Sequence, residues 1–132
     1  MSLELRLLAY SVALLLLLVL IQAATGVQAK GAIPMANNRD NIGPATGFHA
    51  RMLRVVDNHR EALTMFAPLI LIAAAVHLTN SWTVLGARLF FYSRVAHAIW
   101  YVAGLPLIRP IFWAIGIAGT IVVLLALLGI VH

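Results

Sequence analysis

No cysteine occurs in the 132 residues, so disulfides, thiolate metal sites and a cysteine nucleophile are excluded. Charge is almost as scarce. Charged residues make up 10% of the chain, against ~25% in a typical soluble domain, and the acidic ones are only Glu4, Asp40, Asp57 and Glu61. Hydrophobic residues reach 63% and the mean hydropathy is +0.99. Such a chain has too little polar surface to coat a water-facing globule, so the expectation is a membrane protein. Its length excludes a multidomain enzyme and leaves room for roughly four helices of ~20 residues with short connections. No Gly-rich phosphate loop and no Ser/His/Asp triad occurs, and the composition does not suit nucleic-acid binding.

What is present divides into one domain, residues 1–132, of four apolar spans. The first runs from about 7 to 26. A secretory leader is the rival reading, but the stretch Met1 to Arg6 pairs Glu4 with Arg6 and lacks net positive side-chain charge, so we read a retained helix. A polar loop of about 30–46 follows, rich in Gly, Pro and Asn. The second helix is expected at about 47–78 with Pro68 inside it, the third at about 82–105, and the fourth at about 111–131. Trp82, Trp100, Tyr101 and Trp113 fall near span ends, as an interfacial aromatic belt requires. Four crossings put both termini on one side. The other side carries Lys30, Arg39, Arg51, Arg54, Arg60 and Arg109, which makes it cytoplasmic by the positive-inside rule and the termini non-cytoplasmic. Gly116, Gly119 and Thr120 read as small residues that let helices approach closely.

Two polar clusters stand out. At ~100° per residue, Arg51, Arg54, Asn58 and Glu61 fall within about 80° of helical arc, with Asp57 at its edge. This stripe reads either as a solvated helix end that contacts headgroups or as one wall of an anion site. His59 and Arg60 point elsewhere and read as structural. Arg94, His97 and Tyr101 share a second face of about 60°. Arg94 lies well inside a span, where an ionisable group costs about 2.5–3.5 kcal/mol on insertion scales and so faces the bundle interior or a wet cavity. Glu61 is its expected partner, at comparable depth on the neighbouring helix. Arg51, Arg54 and Arg109 then remain in excess on the same side, and spare cations suggest an anionic ligand. No His, Asp or Glu stands at ligand spacing beside His97, so no metal site is expected.

The patterns Arg54-x3-Asn58-x2-Glu61 and Arg94-x2-His97-x3-Tyr101, the latter followed by Gly104-x-Pro106-x2-Arg109, resemble the MAPEG superfamily of membrane-associated proteins in eicosanoid and glutathione metabolism. This shorter chain looks closer to the bacterial branches of that superfamily. The resemblance implies an all-α transmembrane four-helix bundle, MAPEG-like and homotrimeric, in a bacterial inner membrane, with glutathione as co-substrate in clefts between subunits. Carried over, Arg54, Asn58 and Glu61, with Arg51 on the same stripe, would hold the tripeptide from one subunit. Arg94, His97 and Tyr101 would contribute from the adjacent helix face, and Arg109 would act catalytically by stabilising the thiolate. The activity implied is that of a glutathione transferase or peroxidase working on a lipophilic electrophile from the bilayer. The alternative is a non-catalytic oligomeric scaffold or an anion- or headgroup-binding subunit.

Overall fold

The computed structural model describes residues 1–39 and 42–132; Asp40 and Asn41, part of the expected polar loop, lie outside the described residues. The order of elements is α1 (Leu3–Lys30), α2 (Ala32–Ala36), α3 (Gly47–Ala75), α4 (Ser81–Val102) and α5 (Arg109–Leu127). All regular structure among the described residues is helical. Among the described residues each long helix touches at least two others.

Helix ends account for the differences from the expected spans. α1 begins before residue 7 because the Ser2 hydroxyl caps it, accepting from the Leu5 N–H at 3.2 Å. It ends only at Gly31, whose φ of +93° suits glycine. The short α2 then interrupts the loop; Pro34 stands in its first turn, where a missing N–H costs nothing. α3 stops at Ala75 rather than near 78, because His77 takes a positive φ of 56° and the Leu78 N–H bonds back to the Ala73 carbonyl at 2.8 Å. α4 opens on a capping box between Asn80 and Thr83. It closes in the same way as α3, with Gly104 at φ +72° and Leu105 N–H on the Trp100 carbonyl. Pro110 in the first turn lets α5 start at Arg109.

Side-chain contacts fix the helix directions. His59 meets Ser11, and Gly26 lies against His49, so α1 and α3 run antiparallel. The stacked rings of Phe66 and Phe90, 3.8 Å apart, and the Asn58–Arg94 contact make α4 antiparallel to α3. Trp100 packs on Phe112 while Trp82 bonds the His132 carbonyl, which turns α5 back along α4. Both termini therefore lie at one end of the helices; Lys30, Arg51, Arg54 and Arg109 lie towards the other.

The core has two apolar centres. Leu7, Leu8, Phe66, Ile70, Phe90 and Val123 fill the end near the termini, and Leu18, Met52, Val55, Val56 and Ala98 fill the opposite half. Outside, the pattern is inverted. Leu16, Leu17 and Leu20 on α1, Leu71 and Ile72 on α3, Ile99 on α4 and Ile121 on α5 are exposed, whereas Thr83, Ser93, Arg94 and His97 are buried. A surface this apolar matches lipid rather than water. By length and composition α1 and α5 could each cross a membrane, with mean hydropathies of 2.5 and 2.3; α3 and α4 carry most of the interior polar groups.

α4 and α5 make the closest seam. A Cβ on Gly86 would fall 2.6 Å from the Gly119 carbonyl oxygen, and one on Gly119 would fall 2.6 Å from that of Gly86. Backbone meets backbone there, as small residues at membrane helix crossings permit. Gly119→Val should therefore force the pair apart and cost about 1–3 kcal/mol, read as a lowered thermal midpoint in detergent. Ile121→Val on the exposed face should leave that midpoint nearly unchanged.

Candidate functional site

The expected α3 stripe does line up with the expected α4 stripe. Because the two helices are antiparallel, Arg54 meets Tyr101 and Asn58 meets Arg94. The Arg54 Nε donates to the Tyr101 hydroxyl at 3.0 Å, and the Arg94 Nη2 donates to the Asn58 Oδ1 at 2.7 Å. Arg51 lies across Gly104, where any Cβ would fall 2.6 Å from its Nη1. The α4 terminus thus needs glycine both for its positive φ and for the guanidinium that rests on it. Arg109, first residue of α5, stacks on Tyr101 with its Cζ 4.4 Å from the ring centroid, close enough for a cation–π attraction. The His97 ring approaches the other side of Tyr101, with centroids 5.6 Å apart. Beside these groups opens a pocket of about 600 Å³, walled by Asn58, His97, Tyr101, Leu107, Arg109 and Trp113.

One expected contact is corrected. Arg94, 1% exposed, does not pair with Glu61. Its neighbours are neutral: Asn58, and the Nδ1 of His59 at 3.3 Å from its Nε. Glu61 instead sits on the exposed side of α3, because the α3 face turned toward α4 at this level is occupied by Asn58 and His59.

His59 is likewise corrected, from a residue pointing away to a buried member of the network. Its Nε2 donates to the Ser11 carbonyl at 2.9 Å while Nδ1 accepts from Arg94. A carbonyl can only accept and a guanidinium can only donate, so these bonds select the neutral Nε2–H tautomer. The signal for it was in the spacing. Met52, Val55, His59, Leu63, Phe66 and Ile70 form the buried apolar face of α3, and a polar residue on such a face implies a polar partner inside. Leu107 and Trp113, which also wall the pocket, had no comparable signal.

The electrostatics are lopsided. Arg54 and Arg109 lie against Tyr101, Arg94 against Asn58 and Arg51 against Gly104, yet among the described residues the one ion pair is Arg60–Asp57, at 2.6 Å on the exposed side of α3. The Nη1 of Arg94, the Nε of Arg51 and the Nδ1 of His97 are buried without a hydrogen-bond partner. Buried polar atoms of this kind are costly unless something bonds to them. The arrangement can hold an anion whose oxygens reach several guanidiniums, and it sets an aromatic hydroxyl and a cation side by side at its edge.

An all-helical protein with an apolar outer surface and a cationic cleft at one end is a membrane protein with an internal polar site. The profile of the MAPEG family matches residues 7–129, nearly the whole chain, and the chain belongs to the MAPEG family. No curated protein and no solved structure matches it.

His59→Leu should destabilise the protein by about 1–3 kcal/mol, since it leaves the buried Arg94 Nε without an acceptor and removes the tie between α3 and the Ser11 carbonyl of α1. Arg60→Ala, which removes only an exposed pair, should stay within about 0.5 kcal/mol of the parent. Thermal unfolding in detergent distinguishes the two.

Proposed function

We propose that this MAPEG family member is a glutathione-dependent transferase or peroxidase that acts on lipophilic electrophiles entering from the bilayer. The observation that carries the reading is an open pocket walled by Asn58, His97, Tyr101 and Arg109, with Arg54 and Arg94 bonded to two of those wall residues and none of these arginines in an ion pair among the described residues. Glutathione has two carboxylates and one ammonium. Arg51 and Arg54 suit the carboxylates through paired charge-assisted bonds. Asn58, His97 and Tyr101 would orient the peptide, with Arg94 beneath them.

In this reading all four long helices cross a bacterial inner membrane, with the cationic end cytoplasmic, and three copies assemble. Glu61 supports the assembly: as an exposed carboxylate one turn from the cleft, it can reach the glutathione ammonium from a neighbouring subunit.

The chemistry follows from Arg109 and Tyr101. A cation near sulfur favours thiolate over thiol, and the thiolate is the nucleophile. Tyr101 accepts from Arg54, so its own O–H remains available to donate to sulfur. The thiolate forms a carbon–sulfur bond as the electrophile's leaving group departs with its electron pair. With a hydroperoxide, sulfur attacks oxygen and the alcohol leaves after taking a proton. A second glutathione then converts the sulfenic acid to disulfide and water.

A scaffold is the second reading, favoured by the bonds that tie α1, α3 and α4 through Ser11, His59, Arg94 and Asn58 without any ligand. Calorimetry of glutathione against protein in nanodiscs separates the two. Binding that Arg54→Ala weakens at least tenfold, and Arg60→Ala leaves alone, supports the enzyme. In that case Arg109→Ala should diminish the thiolate ultraviolet absorbance of bound glutathione and slow conjugation of a lipophilic aryl halide. No heat at millimolar glutathione in an assembled oligomer, with Glu61→Gln breaking the assembly, supports the scaffold.

A further inference from the structure

A second pocket of about 280 Å³ lies at the same end of the molecule as the guanidinium cleft, bounded by the end of α1, by Met35 of α2, by Arg39, Ile42, Gly43 and Ala45, and by the start of α3. Its polar lining is Gln22, Lys30, Arg39 and His49; Met35, Ile42 and Leu53 supply apolar wall. His49 is the anomaly. The residue is 6% exposed, yet neither ring nitrogen has a hydrogen-bond partner. A neutral imidazole carries one N–H donor and one acceptor, and burying both unmet is unfavourable. The ring has its place because Gly26 lacks a side chain: a Cβ there would fall 3.1 Å from the His49 Nε2 and 2.8 Å from the Met35 Cε.

Two further features point to a negative guest. The N-terminus of α3 borders this pocket at Ala45 and His49, and the Thr46 side chain makes no capping bond, so the free amides of the first turn present partial positive charge. Among the described residues Lys30 and Arg39 are engaged only by backbone carbonyls, the Lys30 Nζ by Pro44 at 3.3 Å and the Arg39 Nε by Met35 at 2.7 Å.

We propose that this pocket is a phosphate-binding site, separate from the guanidinium cleft, in which the buried His49, the cations Lys30 and Arg39 and the uncapped start of α3 together receive a phosphoryl group. A tetrahedral oxyanion offers acceptors in several directions, which suits donors arriving from a helix terminus, a ring and two side chains better than a planar carboxylate would. The apolar wall formed by Met35, Ile42 and Leu53 accommodates part of what carries the phosphate. The same chemistry occurs in a lipid headgroup and in a soluble phosphate.

The test follows the His49 ring by nuclear magnetic resonance of protein with nitrogen-labelled histidine. Inorganic phosphate is titrated into protein in a zwitterionic micelle. In parallel, nanodiscs containing phosphatidylglycerol are compared with nanodiscs of phosphatidylcholine alone. A saturable His49 shift with inorganic phosphate supports the site and a soluble ligand; a shift confined to phosphatidylglycerol supports the site and a lipid ligand. In either case the surface double variant Lys30→Gln/Arg39→Gln, whose folding the other histidine signals verify, should raise the midpoint at least tenfold. The proposal is overturned if His49 responds to neither probe, or if the double variant responds as the parent does.

Discussion

Each donor of a guanidinium hidden among helices is costly when it lacks an acceptor, and burying Arg94 sets that cost for the interior around it. The acceptors present are neutral ones, an amide oxygen on Asn58 and a ring nitrogen on His59. His59 can accept only because its other nitrogen donates to the Ser11 carbonyl. One buried charge therefore recruits groups from three helices and fixes how far each is rotated about its axis. Much of the cleft follows from that rotation. Once Asn58 faces Arg94, helical spacing carries Arg54 to Tyr101 and Arg51 to Gly104.

The far end of the molecule solves a related problem with the opposite sign. Glu4 is 3% exposed and accepts from the hydroxyls of Thr79 and Thr83 at 2.5 and 2.6 Å. A carboxylate there is held by uncharged donors, as Arg94 is held by uncharged acceptors. The two buried charges, Arg94 and Glu4, are thus each held by neutral partners instead of being paired with one another. In the proposed function, the anion that the arginines near Tyr101 lack comes from glutathione.

The helical class, the four long helices and the alignment of the two polar stripes were legible in the sequence, because periodicity and hydropathy are local properties and antiparallel neighbours bring stripes together in a fixed order. Helix ends were less so. The His77 turn and the Ser2 cap depend on backbone geometry that residue type alone does not dictate. The Glu61–Arg94 pairing failed for a different reason. Charge complementarity suggested it, but depth along a helix does not decide which face looks inward, and His59 held that place. The wall residues Leu107 and Trp113 and the pocket around His49 arise where separated segments meet, so no single window of sequence contained them.

Pro68 acquires a meaning beside the seam of Gly86 and Gly119. With backbones in contact, α4 and α5 cannot slide by one turn, about 5.4 Å, without collision, so Tyr101 and Arg109 keep their relative positions as a rigid jaw. α3 has no such lock, and its proline removes a backbone hydrogen bond partway along. Whatever guest enters the cleft therefore meets a Tyr101–Arg109 spacing set by the glycine seam, while the interrupted backbone ladder lies on the α3 side.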